Sequence, residues 1–156
     1  MPQENPTGMN NSVQALRTGW CCLIIIAALL VVGSVSHGVL RHIVQTAPLW
    51  AGVILGFCRS DLSKWVALPS FVFWLAIMIF IWLFLLGWAQ VVHGTFSPTE
   101  IAMTLCVGAA SIVGLITCFR SRTTTSAKTA VALVLLFAGL QLLVFRLSLL
   151  PAIAHR

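Results

Sequence analysis

Charge is what this sequence has least of. Lys, Arg, Asp and Glu make up 8% of its 156 residues, against a hydrophobic share of 60%. A soluble domain carries about 25% charged residues, and a water-facing surface cannot be assembled from so few. Acids are rarer still: Glu4, Asp61 and Glu100 are the full set. A paired-carboxylate mechanism has little to work with. No acid falls in the middle of an apolar run, where a proton- or ion-coupled transporter places one. C-x-x-C, the Cys/His spacings of zinc sites, G-x-S-x-G, H-E-x-x-H and a glycine-rich phosphate loop are missing as well. The net charge of +6 does not point to nucleic acid. Lys and Arg stand singly or in pairs between apolar runs, not in a basic cluster interleaved with polar and aromatic residues.

What is present is apolar length. Several runs are as long as a bilayer is thick, so lipid is the expected solvent. The expected fold class is all-α, a polytopic transmembrane helix bundle of four or five spans. Residues 1–16 read as a disordered polar tail, 17–147 as the transmembrane helical domain and 148–156 as a short tail. Spans are expected at about 20–40, 43–57, 68–92, 98–119 and 129–145. A cleaved signal peptide is the rival reading of the first, because Ser34-Val35-Ser36 resembles a small-x-small cleavage site. The second is short, about 22 Å as a helix against a hydrocarbon core of about 30 Å. It also holds Gln45, Thr46 and Pro48. It is read as a span that crosses by local thinning, with a re-entrant or interfacial segment as the alternative.

Local signals refine this picture. Ser97-Pro98-Thr99-Glu100 reads as a helix start, with a capping Ser, Pro in the first turn and Glu at the capping-box position. Gly52 and Gly56 form a G-x-x-x-G, and Ala110 and Gly114 share small-x-x-x-small spacing, with Gly108 nearby; such residues let helices approach closely. The 98–119 helix is expected inside the bundle. The 68–92 helix, surrounded by large side chains, is expected to face lipid, with Trp65 and Trp88 as interface anchors. The five cysteines, Cys21, Cys22, Cys58, Cys106 and Cys118, read as small apolar filling; the functional alternative is thiol redox chemistry or lipidation of Cys21–Cys22.

Loops rich in Lys and Arg stay in the cytoplasm. The 59–66 loop carries Arg59 and Lys64, the 120–128 loop carries Arg120, Arg122 and Lys128, and the 93–97 turn between them carries neither. The two basic loops are therefore expected inside and the C-terminus outside. Five spans put Arg17 inside and Arg41 outside; four exchange them, so charge alone does not fix the N-terminus.

Ionisable groups near a span need a reason to be there. On a helix continuing past residue 40, Ser34, His37, Arg41 and Gln45 would form one stripe. With five spans, His37, Arg41, His42, His93, Glu100 and Arg146 gather near the outer surface. The candidate cofactor-binding residues are His37, His42 and His93, as metal or haem ligands. Arg41, Gln45, Glu100 and Arg146 are candidates for a ligand or an ion pair, including an anionic headgroup. The alternative is that the arginines snorkel, Glu100 caps its helix and the histidines sit among headgroups.

No cofactor is specified, and nothing marks the chain as an enzyme. The expected role is a non-enzymatic accessory or assembly subunit, as a homo-oligomer or in a larger membrane complex. A small transporter or pore-forming oligomer is the first alternative, and a haem- or metal-binding redox protein the second. The chain resembles small multi-pass proteins of bacterial inner membranes in style only, and that likeness carries no function.

Overall fold

The computed structural model describes the backbone of residues 6–88, 96–122 and 125–150, with side chains from residue 11 onward. These residues form five helices: α1 (Pro6–Val35), α2 (Val39–Phe57), α3 (Ser63–Leu85), α4 (Pro98–Arg120) and α5 (Ala127–Ser148). No strand occurs among the described residues. Four helices, α1, α3, α4 and α5, are long and apolar enough to cross a membrane. The chain is an all-α multi-pass membrane protein.

Successive helices run antiparallel. Gly19 faces Gly56, Cys22 faces Gly52 and Gly33 faces His42, which pairs α1 with α2 along its length. Lys64 reaches Ser121, Phe71 meets Gly114 and Met78 lies against Gly108, which pairs α3 with α4. Ser70 bonds Gln141 and Phe73 packs on Phe145, so α5 runs parallel to α3. The start of α1, the end of α2, the start of α3, the end of α4 and the start of α5 therefore share one end of the bundle.

Three helix ends close through a residue in the left-handed region. His37 (φ 56°), Arg59 (φ 53°) and Gly87 (φ 75°) each precede a residue whose N–H reaches back five positions. The bonds run from Gly38 to Gly33 at 2.9 Å, from Ser60 to Leu55 at 3.0 Å and from Trp88 to Leu83 at 2.9 Å. This motif satisfies helix-end carbonyls that would otherwise be orphaned.

Several boundaries differ from the sequence reading. Residues 6–16, read as disordered, belong to α1, because Ala15 is buried and its carbonyl lies against Gly56. The run expected at 20–40 ends at Val35, and the Ser34–His37–Arg41–Gln45 stripe is broken by the turn at Ser36–Gly38. The short segment at 43–57 grows to 19 residues by taking in Val39–His42. The 68–92 span is Ser63–Leu85, so the second half of the 59–66 loop is helical. The 129–145 span extends to Ala127 and Ser148. The expectation that α3 faces lipid holds in part: Val72, Ile79 and Phe80 are exposed. α3 touches all four other helices, and its Phe71, Trp74 and Met78 are buried. The partners supply the small residues that let it in: an added Cβ on Gly114 would lie 2.6 Å from the Phe71 ring.

The core is apolar, built from Cys22, Ile25, Ile26, Leu49, Phe71, Val107 and their neighbours. Through it runs a chain of polar side chains. Ser70 Oγ–H donates to Gln141 Oε1 at 2.9 Å, and Gln141 Nε2–H donates to the Gln45 carbonyl at 3.5 Å. Gln45 Nε2–H donates to Ser148 Oγ at 2.9 Å, and Ser148 Oγ–H donates to the Phe145 carbonyl at 2.7 Å. Among the described helices α5 touches only α2 and α3, and these bonds join it to both.

Candidate functional site

The start of α4 is fixed locally. Ser97 Oγ accepts from the Glu100 N–H at 3.2 Å, and Glu100 Oε2 accepts from the Ser97 N–H at 2.7 Å. Pro98 follows the cap. The reciprocal pair satisfies two orphan donors and holds the Glu100 carboxylate at the end of the bundle that also carries the start of α2. There the Ser36–Gly38 turn presents Arg41 and His42. His42 Nδ1–H donates to the Gly38 carbonyl at 2.9 Å, which leaves Nε2 as an acceptor in the neutral ring. The ring lies over Gly33, where a Cβ would come within 3.0 Å of Nδ1.

These groups open onto a cleft of about 370 Å³. Its polar lining is Ser36, Arg41, His42, Gln45, Glu100 and Thr104. Its apolar lining includes Trp74, Ile77, Met78, Ile81, Met103 and Phe145. Most of the polar groups have partners. Two donors do not: the Nε–H of Arg41 and the Nε1–H of Trp74 are both shielded from solvent, with no hydrogen-bond partner among the described residues. Trp74 is 3% exposed. An unpaired buried donor is costly, more so where lipid replaces water. A third such group, Ser111 Oγ, lies in the middle of α4, away from the cleft lining.

The sequence candidates divide. Arg41, His42, Gln45 and Glu100 come together in the cleft. His37 is exposed in the turn and Arg146 is exposed on α5, and neither lines it. His93 lies outside the described residues. Among the described residues, no three His, Cys, Asp or Glu side chains gather as a metal ion would need. Gln45 is occupied with Ser148. Gly52 and Gly56 lie against α1, at Cys22 and Gly19; Gly114 lies under Phe71; Ala110 is buried; and Gly108 is partly open toward α3. Trp74 was not a sequence candidate. It sits in a helix crowded with aromatics, and only its burial, set by other helices, distinguishes it from Trp82.

A second opening of about 420 Å³ lies between α3 and α4, lined by Leu75, Ile79, Trp82, Leu105, Gly108 and Ile112 among others. Apart from Thr104 it is apolar throughout, and it has no group that selects a ligand. At the other end of the bundle, Lys64 is buried, donates to the Ser121 carbonyl at 2.7 Å and lies over the Trp65 ring. It closes the end of α4. Comparison with protein-family models, curated proteins and solved structures returns no match for this chain.

Proposed function

We propose that the chain is a five-span, non-enzymatic accessory or assembly subunit of a cell membrane, with the bacterial inner membrane as its setting. The observation that carries the accessory role is the use made of buried polarity. Gln45, Ser70, Gln141 and Ser148 bond helix to helix. Apolar contact gives helices in lipid little reason to prefer one another, so bonds of this kind hold a small subunit in shape.

The support for five spans is α2. It lies antiparallel along α1, and its 19 residues reach about 28 Å, close to the roughly 30 Å of a hydrocarbon core. With α2 crossing, Arg17, Arg59, Lys64, Arg120, Arg122 and Lys128 share one end, against Arg41 and Arg146 at the other. The positive-inside rule then assigns the N-terminus and the 59–66 and 120–128 loops to the cytoplasm and the C-terminus to the outside.

Paired reporters, each active on one side only, test the topology when fused to the N-terminus. Cytoplasmic activity is expected, and external activity would remove the fifth span. A photo-crosslinking residue at Leu135 or Leu136, both well exposed on α5, tests the role in native membranes. A discrete adduct with a larger partner is expected. An adduct at twice the 16.9 kDa chain mass would replace the accessory reading with self-association, and lipid adducts alone would end it.

A further inference from the structure

The cleft, lined by residues of all five helices, holds two donors that no hydrogen bond among the described residues satisfies. Arg41 is the third residue of α2, at the outer edge of the cleft, and Trp74 lies halfway along α3. Both line the same space, and each has a shielded N–H without a partner among the described residues. An indole N–H can only donate, so the group that meets Trp74 is an acceptor. At that depth, among Ile77, Met78 and Phe145, it must also be neutral, because a buried charge needs a counter-charge. The group that meets Arg41 is best an anion, which a guanidinium binds more strongly than a neutral acceptor. The rest of the lining is mostly apolar. An anion at the edge, a neutral carbonyl below it and hydrocarbon beside both is the order of groups in a glycerophospholipid. The volume of about 370 Å³ is that of a small-molecule site, enough for the polar part of such a lipid, with its acyl chains running out into the bilayer.

We propose that this cleft holds one glycerophospholipid of the surrounding bilayer, with its phosphate on Arg41 and an acyl ester carbonyl on Trp74. Glu100 and the His42 Nε2 line the same cleft and are acceptors, so a headgroup that also carries an amine is favoured over one with a second anion. The inference needs the membrane-embedded fold but neither the accessory role nor a particular side for the cleft, so it stands or falls separately from them.

The test uses the full chain, delipidated in a phosphate-free detergent and titrated with three short-chain lipids. These are a dioctanoyl phosphatidylethanolamine, its ether-linked analogue without carbonyls, and dioctanoylglycerol without phosphate. Native mass spectrometry is expected to show one ester phospholipid per chain, with the ether analogue about tenfold weaker, the equivalent of one good hydrogen bond. Trp74→Phe keeps the ring and removes the N–H, so it should abolish the ester-over-ether preference. Arg41→Gln should abolish the preference for phospholipid over dioctanoylglycerol and leave the ester preference in place. Equal binding of ester and ether by the unaltered chain would overturn the proposal even if neither variant folds. So would an ester preference that survives in Trp74→Phe. Displacement of the lipid by millimolar glycerol phosphate would reassign the site to a soluble phosphate and overturn it too.

Discussion

Gly19 and Gly56 meet backbone to backbone, but not symmetrically. A Cβ placed on Gly56 would lie 2.5 Å from the Gly19 Cα and 2.8 Å from the Ala15 carbonyl oxygen. A Cβ on Gly19 would lie 3.3 Å from the Gly56 Cα. The first contact is impossible without moving a helix, and the second needs only a small shift. Gly56→Ala is therefore expected to cost about 1–3 kcal/mol, the usual range for overpacking, and Gly19→Ala clearly less. Thermal unfolding of both variants in detergent checks this. Equal losses would mean that the α1–α2 contact is looser than its geometry.

Gly114 and Phe71 make a second pair of this kind, with a ring in place of a backbone. Gly114→Ala drives a methyl into the Phe71 ring, and a loss of about 1–3 kcal/mol is expected. Phe71→Leu alone should also destabilise, by removing buried contacts. Together the two should cost less than their sum, because the smaller side chain makes room for the methyl. A strictly additive double variant would show that α3 and α4 do not meet at these residues.

How much of this was legible beforehand depends on the range of each interaction. The capping box at Ser97–Glu100 was legible because both partners lie within four residues. Ala110 and Gly114 were visible as small residues at helical spacing, but the ring that occupies Gly114 is on another helix. For the same reason the burial of α3 left no local mark: its bulk fits the bundle only because Gly114 of α4 and Gly52 of α2 leave space around it. The turn at His37 gave almost no signal, since its only marker is Gly38 and no proline follows. The extra turns of α1 were hidden by Asn and Ser residues that read as a tail until Ala15 is seen packed on Gly56. Half of the cleft was readable, since Arg41, His42, Gln45 and Glu100 are unusual beside apolar runs. Trp74 was not, because no local pattern marks an indole as buried.

The polar chain between α2, α3 and α5 should show measurable coupling. Gln141→Met keeps length and removes both the acceptor for Ser70 and the donor to the Gln45 carbonyl. Interhelical bonds in membranes average about 0.6 kcal/mol each, so a loss of about 1–2 kcal/mol is expected. A double-mutant cycle with Ser70→Ala should return a coupling of about 0.6 kcal/mol. The same cycle with Ser111→Ala, whose hydroxyl has no partner among the described residues, should return none.

His37 and Arg59 hold positive φ angles that glycine would take without strain. His37→Gly is expected to stabilise the protein by about 0.5–1 kcal/mol, the left-handed penalty less the entropy glycine gains when unfolded. Gly87→Ala is the converse. A Cβ there meets nothing within 4 Å, so its loss would be conformational alone. Unfolding midpoints in detergent for the two variants should move in opposite directions.

The bond between Gln45 and Ser148 spans 103 residues of chain, and that separation becomes a delay when the protein is made. At roughly 5–20 residues per second of synthesis, Gln45 waits on the order of 5–20 s for its partner. Gln141 arrives only slightly sooner. During that interval α2 carries a buried amide with nothing to bond, and it is not among the four helices that are long and apolar enough to cross a membrane unaided. Until α5 emerges, α1 and then α3 are the partners on which its retention depends. Completion of the fold is therefore deferred to the last helix translated, and a ribosome that stalls before residue 141 would leave a hairpin exposed to whatever surveys the membrane for unassembled helices.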